Sequence, residues 1–280
     1  MTEMQVTALR AGHCLHPQVM SIRGGSWRPV EFPSLSMLLV HPSQGPILFD
    51  TGYDPAFMQA TDSFPERLYR WLTPVTLNDG EQVARQIVRF GIDPREVRHL
   101  VLSHFHADHM AGTHAFPNAA IHCARAGLDA ACGASRWSAV RRGFLTSLIP
   151  ANMHARARFF EDARTVALST AFAPFTEGVD ILGDGSLVAV ELPGHCPGHW
   201  GLAVRDSAHG DHFMVADAAW SLDAIRRNMP ALALSSGFLG NTSKTRATLR
   251  MLNELSVRNR DMRITPCHCP ERAAQALARP

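Results

Sequence analysis

Residues 104–109 read His-Phe-His-Ala-Asp-His, directly after the apolar run Leu100-Val101-Leu102-Ser103. Three imidazoles and a carboxylate in six residues are the nitrogen and oxygen donors that zinc-like ions prefer. They also restrict the backbone that can carry them. In an extended segment side chains two apart point to one side, so His104 and His106 can share an ion, whereas a helix would swing His106 away from His104 and Asp108. An irregular strand-to-loop turn is therefore expected, with Asp108 and His109 turning toward a second ion.

A chain of 280 residues with 46% hydrophobic content can bury a sizeable core, and a single domain over 1–280 is the simplest organisation. The net charge of +2 argues against a binder of nucleic acid that relies on phosphate neutralisation. No run approaches the roughly 20 apolar residues of a membrane span, and Met1-Thr2-Glu3-Met4-Gln5 lacks a basic start followed by an apolar stretch. A cytoplasmic protein with a small-molecule substrate and neither nucleic acid nor membrane as partner is expected, with a homodimer left open. The cysteines (Cys14, Cys123, Cys132, Cys196, Cys267, Cys269) form no C-x-x-C pair and are expected to be reduced thiols. Asn241-Thr242-Ser243 reads as a helix cap rather than a sugar site.

Along the chain, Val6–Leu9, Leu35–Val40 and Ile47–Phe49 read as a β meander. Val83, Ile87, Val88 and Phe90 mark a helix closed by Gly91, and the strand His99–Leu102 delivers the histidine cluster. From 124 to 176 arginines alternate with Trp137, Phe144, Phe159, Phe160, Phe172 and Phe175 without a strand pattern. This reads as a helical or loop insertion, either a cap over the site or a small satellite core. Strands resume at Val179–Leu182, Leu187–Glu191, Leu202–Arg205 and Phe213–Ala216. A helix carrying Leu249, Leu252 and Leu255 and a short strand Arg263–Thr265 close the chain before Cys267-His268-Cys269.

Two ligands complete neither ion, so the remaining donors are sought at strand ends. His195, in Gly194-His195-Cys196-Pro197-Gly198-His199, is the expected third ligand of the first ion. Asp217 ends a strand one hairpin later and can bridge two metals, and His268 ends the last strand and can complete the second ion. If His268 faces the metal along an alternating strand, Cys267 and Cys269 face away and are not counted. His199 is expected behind the ligands. Asp50, a carboxylate ending the apolar strand Ile47-Leu48-Phe49, is expected to accept from a ligand imidazole. Of the other histidines, His13, His16, His41, His99, His114, His122, His154, His209 and His212 have no partner pattern, and most are expected to be ordinary surface or core residues.

Phe49-Asp50-Thr51-Gly52, His104-x-His106-x-Asp108-His109, Gly194-His195-x-Pro197-Gly198-His199, Asp217 and His268, in that order, resemble the metallo-β-lactamase superfamily over nearly the whole chain. The resemblance implies an α+β fold, a four-layer αββα sandwich, with a dinuclear zinc centre at one edge. It implies two Zn2+ per chain: His104, His106 and His195 on one, Asp108, His109 and His268 on the other, and Asp217 bridging. Glyoxalase II-type and flavin-containing branches need an added domain, RNA-processing branches a basic arm, and secreted β-lactamases a signal peptide and a cysteine at 217. The chain is most similar to the N-acyl-homoserine-lactonase-like branch, whose Asp-Ala-x-aromatic segment matches Asp217-Ala218-Ala219-Trp220. It departs from that branch at Trp220, where those lactonases usually have a tyrosine; an indole N–H donates but does not accept.

The implied function is a metal-dependent hydrolase in which a zinc-bridging hydroxide opens a lactone or related ester. Asp108, Asp217 and Trp220 are the expected catalytic residues, Asp108 by passing a proton to the leaving group. The alternative is a thioesterase or other ester hydrolase of the same fold. A third option is a mononuclear iron enzyme like the persulfide dioxygenases, or a non-enzymatic effector.

Overall fold

The computed structural model describes residues 2–232 and 240–277. One long strand, β1 (Glu3–Pro17), joins its two halves. It pairs antiparallel along most of its length with β2 (Pro29–His41), while Glu3 and Met4 pair parallel with the far end of β11 (Trp200–Asp206). The register of β1 and β2 shifts between Arg10 and His13, at Gly12. Gly12 has φ +75°, and a Cβ there would lie 2.7 Å from the carbonyl oxygen of Thr76 in β4 (Val75–Thr76), so the bulge admits no side chain.

On one side of β1 the order continues through β2, β3 (Gly45–Phe49), β5 (His99–Val101), β6 (Ala120–Cys123) and β7 (Ala157–Phe159). On the other side β8 (Arg164–Ala167), β9 (Glu177–Asp180), β10 (Val188–Glu191), β11, β12 (Gly210–Ala216) and β13 (Arg263–Pro266) follow in sequence order across the sheet. The two halves pack face to face.

Period-two alternation builds three separate cores from these strands. Met37, Leu39, Ile47, Phe49 and Val101 turn inward, where they meet Ala189, Leu202, Val204 and Met214 of the opposite half. Their neighbours Leu38, Leu48 and Leu100 turn outward under Phe57, Ile87 and Leu128 of covering helices. On the other outer face Val190, Ala203, Phe213 and Val215 are covered by Ile225, Leu249, Leu252 and Leu255. This is the α+β, four-layer arrangement expected from the sequence. Asn241 caps the helix Thr242–Arg258 by accepting from the backbone N–H of Lys244, as expected.

Residues 124–176 are less of an insertion than their sequence indicates. Helices Arg125–Cys132 and Arg136–Arg141 are present, but β7 extends the first half of the sheet and β8 the second. Phe160 and Phe172 are core residues. Strands of three and four residues at a sheet edge are too short to show period-two alternation, which is why arginine-rich composition hid them. Among the described residues no helix is long and apolar enough to cross a membrane.

His122 on β6 lies beside His99 on β5, with Nδ1 of His99 3.0 Å from Nε2 of His122. Burial, then the nearby positive groups His99 and Arg158, push His122 down to about 3. Its folded pKa is thus below its unfolded value, so the unfolded chain binds more protons and stability falls as pH drops from the ordinary histidine range toward 3. Between about pH 7.5 and about pH 5 this group alone should remove about 2 kcal/mol, since one unit is worth about 1.4 kcal/mol. Urea unfolding of His122→Gln should show a pH-dependent loss smaller by that amount; equal losses in wild type and variant would refute the assignment.

Candidate metal centre

Five strands end at one rim of the sandwich, and each end delivers a donor. Asp50 follows β3, His104 and His106 follow β5, His195 follows β10, Asp217 follows β12, and Cys267 and His268 follow β13. His104 to His106 run through an irregular loop, and Asp108 and His109 lie in the short helix Ala107–Met110 that it starts. All these side chains are buried.

Two groups of donor atoms form, each within 4.8 Å of one another: His104, His106, His195 and Cys196 in one, and His109, Asp217, Cys267 and His268 in the other. Asp217 faces both. Its Oδ2 is 3.2 Å from His195 Nε2, and its Oδ1 is 3.3 Å from His109 Nε2 and 3.4 Å from His268 Nε2. Asp108 Oδ2 joins the second group at 3.2 Å from His268 Nε2.

The outward nitrogen of most of these rings is tied to the fold, which fixes the ring and leaves the other nitrogen toward the centre. His104 Nδ1 is 2.9 Å from Ser103 Oγ, His106 Nε2 3.0 Å from the Arg142 carbonyl, and His268 Nδ1 2.8 Å from the Pro33 carbonyl. His109 Nδ1 meets Asp50 Oδ2 at 2.8 Å, while the Asp50 carboxylate also accepts from the N–H and hydroxyl of Ser103. His199 is not part of either donor group. Its Nδ1 faces the Leu192 carbonyl and its Nε2 accepts from the backbone N–H of Asp217, so it holds Asp217 in place.

Burial drives His106 down to about 4 and His104 and His195 well below the ordinary range, leaving three neutral rings. Burial also opposes charge on His109, but Asp50, Asp217, Cys267 and Asp108 together raise it well above the ordinary value. Asp108, despite its burial, is held at about 2 by His109 and His268. The centre thus gathers lone pairs on one side and carboxylate charge on the other, and a divalent cation satisfies both. His104 Nε2 adds a direct indication: it is fully buried and has no hydrogen-bond partner.

A cavity of about 770 Å³ opens onto Asp108, Asp217, His106, His195 and His268. One wall comes from the helix Arg136–Arg141 through Trp137, Val140 and Arg141, which is the part of 124–176 that acts as a cap. Phe144 lies elsewhere: its ring packs behind His106 at 5.4 Å. The facing wall carries Cys14, His16, Tyr53, Leu68, Tyr69 and Leu72. Sequence reasoning left this stretch unassigned, although Leu68, Tyr69 and Leu72 share one face of the short helix Arg67–Leu72. Arg136 and Glu66 join the two walls by an ion pair of 2.6 Å. Trp220 stands at the cavity floor, edge-on to His268 at 5.2 Å and to Phe32 at 5.5 Å.

Cys267 corrects the expectation drawn from alternation. β13 ends at Pro266, so Cys267 and His268 lie in a turn where successive side chains need not oppose each other. Both face the cluster, with Cys267 Sγ 2.5 Å from Asp217 Oδ1. Cys269 does point elsewhere, its sulfur accepting from the Leu222 N–H.

Asp50→Asn keeps the shape of the side chain but turns an acceptor into a donor facing His109 Nδ1. The expected result is a metal affinity lower by 10–100-fold; an unchanged affinity in metal titration would show that Asp50 does not position His109.

A model of the Metallo-beta-lactamase superfamily matches residues 29–255. The N-acyl homoserine lactonase AttM of Azorhizobium caulinodans is 30% identical over 265 residues, which cover 92% of this chain and 90% of the relative. Two crystal structures have a TM-score of 0.74 at 19% identity and cover 98% of this chain and 97% of their own. One is an AiiA variant from B. thuringiensis with N-decanoyl-L-homoserine bound at the active site. The other is an N-acyl homoserine lactone hydrolase with the product N-hexanoyl-L-homoserine bound at the catalytic metal center.

Proposed function

The chain belongs to the Metallo-beta-lactamase superfamily, and from that premise we propose that this metallo-hydrolase opens the ring of lactones bearing an acyl chain. The observation that carries the reading is the large, mainly apolar cavity ending on the carboxylate–imidazole cluster. A polar end that holds a carbonyl and an apolar trough that holds a tail suit an acylated lactone. The similarity to the lactonase AttM supports the same choice.

His104, His106 and His195 would hold one zinc ion, Asp108, His109 and His268 the other, with Asp217 between them. Such a pair, when bound, supplies Lewis acidity that polarises the carbonyl and lowers the pKa of water. The protein groups do the rest. Asp108, at the cavity surface, takes the proton released as water attacks and returns it to the ring oxygen as the ring opens. Asp50 and His199 hold His109 and Asp217 in register. Trp220 packs against His268 and presents apolar surface where a tyrosine would present a hydroxyl.

That last feature is the specific reason to keep a second reading, a thioesterase, whose leaving thiolate needs less help from a hydroxyl donor than an alkoxide does. A side-by-side panel of acyl lactones, aryl esters, acyl thioesters and phosphodiesters separates the two. The expected order has lactone turnover first, abolished by a chelator, and increased in Trp220→Tyr by up to the several kcal/mol that one such donor is worth. Negligible lactone turnover that the tyrosine does not improve, with thioester cleavage retained, would transfer the assignment to the thioesterase.

The cap wall gives an independent prediction. Trp137 is 64% exposed yet lines the cavity, so Trp137→Ala should raise KM several-fold for long-chain substrates while kcat and metal content stay near wild type. Identical KM values across chain lengths would place Trp137 outside the binding site.

A further inference from the structure

Seven donors account for the proposed ion pair, and a buried thiol beside the second donor group has no part in it. Cys267 is 3% exposed, its Sγ is 2.5 Å from Asp217 Oδ1 and 3.8 Å from His109 Nε2, and it lies with His109, Asp217 and His268 in a four-donor set spanning no more than 4.8 Å. The backbone holds it there: the Cys267 N–H donates to the Ala216 carbonyl and the Cys267 carbonyl accepts from the Leu35 N–H. The parallel pairing of Ala216 with Pro266 places Asp217 and Cys267 side by side at the ends of β12 and β13. The ring of His104, whose Nε2 is buried without a partner, is 4.0 Å from that of His109, so the centre itself is short of one electron-pair acceptor.

We infer that the Cys267 thiolate is a further ligand of the second ion, beside Asp108, His109, His268 and Asp217. The inference rests on the two-ion reading above and changes the chemistry of one of its ions. On loading, the sulfur–metal bond forms and the thiol proton leaves to solvent. Asp217 is then relieved of the S–H it accepts and keeps both oxygens for the ions. A set of one sulfur, two imidazoles and two carboxylates favours zinc-like or cobalt ions over magnesium, calcium or manganese, which prefer oxygen donors alone.

X-ray absorption of the zinc-loaded wild type tests this without any variant. The expected spectrum has a sulfur shell near ~2.3 Å at one sulfur per two zinc ions, beside nitrogen and oxygen near ~2.0–2.1 Å. Cobalt-loaded protein should show a thiolate-to-cobalt charge-transfer band that is lost in Cys267→Ser and Cys267→Ala and kept in Cys196→Ser, the control for the sulfur within 4.8 Å of the other imidazoles. Elemental analysis runs alongside. Two ions per chain with no sulfur shell, or a band lost with Cys196 instead of Cys267, would overturn the assignment and leave the two-ion reading intact. Fewer than two ions in fully loaded wild type would overturn both.

Discussion

The carboxylates and imidazoles at the rim are buried apart from the face they turn to the cavity, and that constraint organises what surrounds them. An unpaired carboxylate in such a place is strongly unfavourable, so each charge has to be matched by a neighbour fixed in position. Asp50 shows how the chain meets the requirement. It sits in a left-handed turn at φ +61°, followed by Gly52 at φ +63°, where a Cβ would approach that of Ala11 to 2.2 Å. From there its two oxygens reach Ser103 and His109 at once. Ala216, another non-glycine residue with positive φ, precedes Asp217, at a register shift between β12 and β13. Backbone conformations of this kind cost about 1–3 kcal/mol each and persist where the surrounding structure over-determines them.

The same rim sets the division of labour in the cavity. Its polar floor is made of strand ends, held by the pairing of β3, β5, β10 and β12 on both sides and of β13 with β12. Its apolar walls are made of short helices, Arg67–Leu72 and Arg136–Arg141, clamped to each other by Arg136 and Glu66. Reacting groups are thus placed by the sheet, and selectivity for the rest of a substrate is left to elements that can vary without disturbing the donors. Trp220 belongs to the floor by position and to the walls by chemistry. Its ring packs edge-on beside His268.

Much of this was legible in the sequence. The hexapeptide at 104–109 called for an irregular strand-to-loop turn; the chain adopts one through His106, whereas Asp108 and His109 lie in the short helix Ala107–Met110. Asp50 after an apolar strand was identifiable as a buried carboxylate in need of a ring N–H, and His109 is the ring it meets. The order of motifs pointed to the family and to the four-layer fold. Less legible were β7 and β8, too short for their pattern to rise above a run of arginines, and the wall residues Tyr53, Leu68, Tyr69 and Leu72, which offer no imidazole, thiol or carboxylate and so gave no reason to connect them with the site.

Cys267 marks the boundary between the two kinds of information. The sequence by itself determined which donors exist and that most of them fall at strand ends, because residue chemistry and period-two patterning are local properties. It could not determine where β13 stops. Alternation through Cys267-His268-Cys269 holds only while the strand lasts, and the strand stops at Pro266 because its partner β12 stops at Ala216. Only the tertiary pairing decided that end, and with it the direction of the sulfur. The same holds for the convergence of donors separated by more than a hundred residues, which depends on five strands being cut at one rim by their neighbours.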